Sequence, residues 1–234
     1  MLRLDIAGIP IGINNKYPLF DWCSLGHETE RSPLFEVSAT EREIEEEYKR
    51  IAPEFDIVQA ERNVLYRKIC FGMLHFDGFL IHASAVAVDG FSYVFTAPSG
   101  TGKSTHASYW MQEYGDRAVM VNGDKPIIRK IDGRFQACGT PWRGKEGLGC
   151  AKNFPLKAVC LLERGETNSI ELATGDDITD RILPQIPIPW DEALVEKQFA
   201  LLDQLISEVP VYRLRCNMSR KAAVVAYNGM NGVR

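Results

Sequence analysis

The sequence has no run of apolar residues long enough to cross a bilayer. Its N-terminus, "MLRLDIAGIPIGINN", alternates like a β-strand and lacks the character of a signal peptide. Positive charge is not in excess either, because 27 lysines and arginines stand against 31 aspartates and glutamates, a formal net charge of −4. We therefore expect a cytoplasmic protein without membrane or nucleic-acid partners.

The cysteines form no recognisable site. They are scattered, with no CxxC motif and no histidines at the spacing of metal ligands. The six are Cys23, Cys70, Cys138, Cys150, Cys160 and Cys216. We expect reduced, mostly structural thiols, in keeping with a cytoplasmic location.

Hydrophobic periodicity predicts helices towards both ends of the chain and strands in the middle. The stretch "SATEREIEEEYKR" should form a short exposed helix capped by Ser38 or Thr40. Asp89-Gly90 and Asp132-Gly133 each separate two strand-like runs, which is the pattern of a two-residue β-hairpin. We predict an α/β fold with a mixed, largely antiparallel sheet flanked by helices. The segments assigned to it are strands at 2–6, 34–37, 80–88, 91–96, 118–121, 125–131, 134–140, 156–164 and 210–216, and helices at 58–75, 191–209 and 219–230.

Residues 97–105, "APSGTGKST", match the phosphate-binding P-loop pattern except at the first glycine. An apolar strand enters the loop and a helical stretch leaves it, so backbone N–H groups and a helix N-terminus would attract phosphate oxygens. Lys103 would reach the outer phosphates, and Ser104 would ligate Mg²⁺. Ala97 is tolerated wherever its φ stays negative. The nucleotide-binding residues are therefore Ala97, Pro98, Ser99, Gly100, Thr101, Gly102, Lys103, Ser104 and Thr105.

The hairpin that feeds the loop brings a histidine to it. If Asp89-Gly90 is a two-residue turn, Val88 faces Phe91 and the same register sets His82 opposite Ala97. A titratable imidazole would then lie beside the phosphate site. The alternative is that His82 is a buried histidine with a purely structural role.

A carboxylate follows the next strand. "VMVNGDKP" ends an apolar run with Asp124, which could bind Mg²⁺ or accept the proton of an attacking hydroxyl. The alternative is an Asn-Gly-Asp turn without chemistry. His106 is expected on the first helix without a catalytic role.

The glycine-punctuated stretch "GTPWRGKEGLG" at 139–149 offers further charged groups. Arg143 and Lys145 could clamp a phosphoryl group or an anionic substrate, and Glu146 could support the metal or orient the substrate. A solvated surface loop is the equal alternative. Trp142 would either pack in the core or form a wall of the substrate cleft.

Together, His82, "VDGFSYVF", "APSGTGKST" and Asp124 resemble the catalytic core of HPr kinase/phosphorylase, which is akin to the nucleotide-binding domain of phosphoenolpyruvate carboxykinase. The resemblance covers roughly residues 78–165. It implies that Asp124 is the general base acting on a serine, with His82 tuning or sharing the proton. Lys125 stands where the family has a second aspartate, and the N-terminal section is shorter than the family's regulatory domain.

We therefore predict a small N-terminal section at 1–55 packed on a P-loop catalytic domain at 56–234. The predicted activity is ATP- and Mg²⁺-dependent phosphoryl transfer to a hydroxyl, on a protein, a peptide or a small molecule. A nucleotide-sensing protein without turnover is the alternative, and Lys125 is its best support. A GTPase is disfavoured, because Asn15-Lys16 precedes the P-loop and lacks the following aspartate of a guanine-reading motif. Homo-oligomerisation stays open.

Overall fold

The computed structural model describes residues 1–19, 22 and 26–232. The strands within these ranges are β1 (Leu2–Ile6), β2 (Ile9–Asn14), β3 (Phe35–Ser38), β4 (Gly78–Leu80), β5 (Ala83–Val88), β6 (Phe91–Thr96), β7 (Ala118–Asn122), β8 (Ile127–Ile131), β9 (Arg134–Cys138), β10 (Asn153–Arg164), β11 (Ser169–Leu172) and β12 (Val211–Cys216). The helices are α1 (Glu41–Ile51), α2 (Ile57–Gly72), α3 (Lys103–Tyr114), α4 (Gly175–Ile182), α5 (Glu192–Glu208) and α6 (Lys221–Met230). None of these helices is long and apolar enough to span a membrane.

The N-terminal elements form a three-stranded sheet in which β1 and β2 are antiparallel and β2 and β3 are parallel. Helix α1 begins after Thr40, whose hydroxyl accepts the backbone N–H of Glu43 while the Glu43 carboxylate accepts that of Thr40. This reciprocal capping selects Thr40 over Ser38 as the cap. Apolar side chains of β1 and β2 share one buried cluster with α2, β8 and β9. The boundary at residue 55 stays a prediction, and this cluster crosses it.

The main sheet has nine strands and is mixed, largely antiparallel, as predicted. Its central path runs β4-β8-β9-β10-β6-β5-β7. Strand β12 pairs with β10 on the edge opposite β6, and β11 pairs with β12. Strand β10 is parallel to β6 and to β12, whereas the remaining described pairings within this nine-stranded sheet are antiparallel. The carboxyl ends of β6, β10 and β12 therefore meet at one edge of the sheet.

Both predicted hairpins are confirmed. In the first, Val88 pairs with Phe91, and Asp89 and Gly90 adopt φ values of 52° and 84°. In the second, Ile131 pairs with Arg134 across a turn with positive φ at both central residues. Positive φ at both positions is what a type I′ turn requires, which explains the Asp-Gly sequence.

The prediction of one continuous strand at 80–88 is wrong. The run divides into β4, which pairs with β8, and β5, which pairs with β6 and β7, because the two segments have different neighbours. Ile81 and His82 form the break between them. The ladder of β5 and β6 ends at Ala83 and Thr96, so the expected pairing of His82 with Ala97 does not form.

The cysteines within the described residues are free thiols. Cys70, Cys138 and Cys160 are buried, and burial raises the pKa of Cys138 to about 12. Cys150 and Cys216 are half-buried. Cys23 lies outside the described residues.

Candidate active site

The sheet topology brings the predicted site residues to one edge. Strand β5 lies antiparallel between β6 and β7, so the residue before β5 adjoins the ends of its two neighbours. His82 precedes β5, the P-loop follows β6 and Asp124 follows β7. A cavity of about 500 Å³ opens there. It is lined by His82, Ser99, Gly100, Gly102, Lys103, Ser104, Thr105, Gly123, Asp124, Arg143, Gly144, Lys145 and Glu146.

Ala97, Pro98 and Thr101 are the predicted site residues that do not line this cavity. The loop conformation explains which positions need glycine. Gly100 and Gly102 have φ values of 78° and 119°, a region that residues with a side chain rarely adopt. Ala97 is not among the positive-φ residues, so the missing first glycine causes no strain.

Lys103 begins helix α3 and is 7% exposed. Its Nζ donates to the carbonyl oxygen of Ala97 at 2.8 Å and points at that of Pro98 at 3.4 Å. Burial lowers the pKa of Lys103, and the Asp124 carboxylate opposes that effect. The N–H groups of the first helical turn have no partners within the helix, so this end of α3 can accept an anion.

His82 and Asp124 contact each other across the cavity. Nε2 of His82 lies 3.3 Å from Oδ1 of Asp124. Burial alone would raise the pKa of Asp124, but the hydrogen bond from His82 and the positive charge of Lys125 help to lower it overall. Asp124 is therefore an ionised carboxylate at neutral pH.

The Asn-Gly-Asp turn is also present, but the side chain of Asn122, and not that of Asp124, forms it. The side-chain oxygen of Asn122 accepts the backbone N–H groups of Asp124 at 2.9 Å and Lys125 at 2.7 Å. Asn122 in turn donates to Thr140 and is fully buried. The turn thus holds the Asp124 backbone and leaves its carboxylate to face His82.

Gln185 is a residue of this site that the sequence analysis missed. It lies at the end of a short 3-10 turn after α4 and is 9% exposed. Its backbone carbonyl accepts the His82 N–H at 2.7 Å, and its Oε1 lies 3.1 Å from His82 Nδ1. The imidazole is therefore held between Gln185 and Asp124. No motif marks this glutamine, which is 103 residues from His82.

Arg164 was also missed. It ends β10 on the outer side of the P-loop, where Nη2 donates to the Gly100 carbonyl at 2.5 Å and Nε to that of Thr101 at 3.3 Å. This contact fixes two loop carbonyls from outside the first cavity. Its position at the end of a strand parallel to β6 is the signal that could have found it.

The loop after β9 brings Arg143, Lys145 and Glu146 to the cavity rim. Gly144 has a φ of 70°, and a Cβ there would lie 2.9 Å from the Cβ of Asp124. The loop backbone therefore approaches the carboxylate closely at a glycine. Trp142 packs edge-on against Trp22 and Tyr66 and does not line the cavity, which favours its packing role.

His106 lies on α3, the helix that follows the P-loop, as predicted, and does not line the cavity. It is buried, and its Nε2 accepts the indole N–H of Trp110 at 3.0 Å. Burial lowers its pKa to about 4, so the ring is neutral at physiological pH.

No protein-family model matches the chain, and no curated protein matches it. Among solved structures it is similar to the Hpr(Ser) kinase/phosphatase from Coxiella burnetii. That similarity has a TM-score of 0.40 at 9% sequence identity and covers 65% of this chain and 97% of the other.

Proposed function

We propose that this chain is an ATP-dependent phosphotransferase that moves the γ-phosphoryl group to a hydroxyl acceptor. One observation carries the proposal: Lys103 and Ser104 of the P-loop share a cavity with a carboxylate–imidazole pair, Asp124 and His82. The first two groups suit a polyphosphate, and the second pair suits proton removal from a hydroxyl.

In this proposal the loop amides and the N-terminus of α3 bind phosphate oxygens. Lys103 exchanges its contacts with the carbonyls of Ala97 and Pro98 for contacts with the outer phosphates. The exchange replaces neutral acceptors with anionic ones, so it is favourable when the nucleotide is present. Arg164 keeps the loop carbonyls in place from the other side.

The donor set fits Mg²⁺ when the nucleotide supplies further ligands. Ser104 offers a hydroxyl and Asp124 a carboxylate in the same cavity. Within the described ranges, no group of three or more metal-ligating His, Cys, Asp or Glu side chains occurs. Mg²⁺ commonly uses one or two carboxylates together with phosphates and water. The bound ion would neutralise phosphate charge.

The chemical step is an in-line displacement. The acceptor oxygen bonds to the γ-phosphorus while the bond to the β–γ bridging oxygen breaks, and ADP leaves. The hydroxyl proton passes to the Asp124 carboxylate, which its lowered pKa keeps ionised and ready. His82 holds that carboxylate in position through Nε2, and Gln185 holds the His82 ring.

The acceptor would reach the γ-phosphate past the 143–146 loop. Residues 144–148 are exposed, so the rim of the cavity faces solvent. This exposure favours a serine on a protein or peptide over an enclosed metabolite. Lys145 and Glu146 then contact the acceptor, and Arg143 supports the transferring group.

Lys125 supports a second candidate, a nucleotide-binding protein without turnover. Its Nζ lies 4.9 Å from the centre of the Tyr66 ring, it does not line the cavity, and its charge lowers the pKa of Asp124. Asp124 is then the one carboxylate that residues 122–125 can offer to a metal. Weak metal binding would leave nucleotide binding intact but transfer slow.

Label transfer from γ-³²P-ATP into lysate fractionated into proteins and metabolites tests the proposal. We expect label in the protein fraction, and Asp124→Asn to lower transfer on the order of 10²- to 10⁴-fold while ATP still binds. Asp203→Asn, on the exposed face of α5, is the matched control and should transfer normally.

Label in the metabolite fraction alone would select a small-molecule acceptor. ATP binding without transfer into either fraction would establish the second candidate instead.

A further inference from the structure

A second cavity, which Asp124 does not line, also adjoins the P-loop. It has a volume of about 400 Å³ and lies where the parallel strands β6, β10 and β12 end. Its lining comprises Gly100, Thr101, Gly102, Thr105, His106, Tyr109, Arg164, Gly165, Cys216, Asn217 and Met218. Ligands of open α/β sheets bind outside the carboxyl ends of the strands, which is the position of this cavity.

The two cavities meet at the loop. Gly100, Gly102 and Thr105 line both of them. A molecule whose phosphates lie on the P-loop can therefore extend into either of these two cavities. Asp124 and His82 line the first, and Tyr109 and Met218 line the second.

We infer that the second cavity binds the base and ribose of the nucleoside triphosphate whose phosphates occupy the P-loop. The inference rests on the proposed function and extends it by assigning base recognition to residues of α3, β10 and β12. Since Asp124 faces the γ-phosphate in the proposed reaction, the nucleoside extends away from Asp124, and the second cavity, which Asp124 does not line, can receive it.

The chemistry of the lining suits a neutral, flat heterocycle. Tyr109, Cys216 and Met218 provide apolar or polarisable surface, and the lining contains no carboxylate. Arg164 is held by the carbonyls of Gly100 and Thr101, so its planar guanidinium has a fixed position beside the loop. A volume of 400 Å³ falls in the range of small-molecule sites, roughly 300–1,000 Å³.

Asn217, in the lining of this cavity, is already held by hydrogen bonds. The backbone N–H of Asn217 donates to the side-chain oxygen of Asn168 at 2.9 Å, and its side-chain amide donates to the Glu166 carbonyl at 3.0 Å. Ser219 donates to Asn217 Oδ1 at 2.6 Å. A preformed turn of this kind lowers the entropic cost of binding a base. Met218, in the same turn, is 82% exposed and can cover a bound ring.

Affinity for ATP and for inorganic tripolyphosphate, each with Mg²⁺, tests the inference by calorimetry. Both ligands can place phosphates on the P-loop, but only ATP has a base and ribose that can enter the second cavity. We expect ATP to bind at least tenfold more tightly. Met218→Ala should weaken ATP binding several-fold and leave tripolyphosphate binding unchanged. Leu172→Ala, which removes another exposed apolar side chain, is the matched control and should change neither.

Alkylation of Cys216 gives a readout that does not depend on affinity. The thiol is half-buried and lines the cavity, so bound ATP should slow its reaction with iodoacetamide, whereas tripolyphosphate should not. Cys150, half-buried elsewhere, serves as the internal reference. Equal affinity for the two ligands, with no protection of Cys216, would overturn the inference and leave the proposed function standing. Failure of both ligands to bind would overturn the proposed function as well.

Discussion

Two histidines flank the P-loop, and their surroundings differ completely. His82 is partly exposed and held between a carboxylate and an amide, at the mouth of the first cavity. His106, four residues after Gly102, is buried among aromatic rings, with Phe95 at 4.7 Å between ring centroids. Proximity to a nucleotide site therefore does not identify a functional histidine. Of the two, His82 has an ionisable partner and access to solvent, whereas His106 has neither.

Removal of the Trp110 side chain, which lies in the aromatic cluster with His106, should have the largest effect on stability. Trp110 is fully buried and contacts Tyr93, Phe95 and Tyr114. Trp110→Ala should lower the free energy of unfolding by about 3–5 kcal/mol, because it leaves a cavity. Urea denaturation would measure the loss, and Trp110→Phe should lose less. Unchanged stability together with lost nucleotide binding would contradict a packing role.

Lys103→Met tests the polar cavity that contains His82, in contrast to the aromatic cluster around His106. Loss of the ammonium should lower transfer by about 10²- to 10³-fold, because the outer phosphates lose their charged partner. Stability should stay close to that of the unaltered chain, since burial of the Lys103 charge is unfavourable without a nucleotide. Initial rates with saturating ATP and a urea titration would measure both. Severe unfolding would show instead that Lys103 holds the loop together.

His106 should contribute to the dependence of stability on pH. Its pKa in the folded chain is about 4, below the ordinary 6.5, so the unfolded chain binds the proton first as the pH falls. Its contribution is complete above pH 6.5 and should be lost progressively down to about pH 4, amounting to about 3 kcal/mol.

The difference between the unaltered chain and His106→Gln isolates this contribution. Glutamine can still accept the Trp110 indole N–H but does not titrate, so the variant should lose less stability between pH 6.5 and 4. Parallel losses in the two proteins would show that His106 is not responsible.

Gln185→Leu should give the smallest effect. It tests whether catalysis depends on the polar side chains that hold His82 and that His106 lacks. Without the Gln185 amide the His82 ring keeps only its contact with Asp124, so kcat should fall on the order of tenfold to a hundredfold. KM for ATP should stay within a factor of about two. Gln198→Leu, which replaces another buried glutamine, is the control for kcat. A rise in KM without a change in kcat would contradict a positioning role.

The local elements were predictable where short-range chemistry decides them. Asp89-Gly90 and Asp132-Gly133 fixed two hairpins, because these dipeptides accept the positive φ that the turn needs. The break at Ile81–His82 was not predictable, since the residues around it form one continuous strand-like run. It arises because β4 and β5 have different partners, which is a property of the whole sheet.

The residues of the candidate site also divide into those that the sequence could predict and those that it could not. His82, Lys103 and Asp124 were identifiable because each stands at the end of a strand-like run or in a motif. Gln185 and Arg164 come from segments far along the chain and contact the site only after the sheet has formed. The interpretation of Asn122-Gly123-Asp124 needed the structure as well, because only the contacts show that Asn122 makes the turn.

The length of β10 has a consequence for unfolding. Its first residues pair with β9, and the rest pair with β6 and β12 before Arg164 reaches the P-loop. The two halves of the nine-stranded sheet thus have one strand in common, and neither can open without breaking that strand's ladder. Heat should melt them in one cooperative transition, with equal calorimetric and van't Hoff enthalpies. Amide exchange along β10 should report the global free energy of the chain.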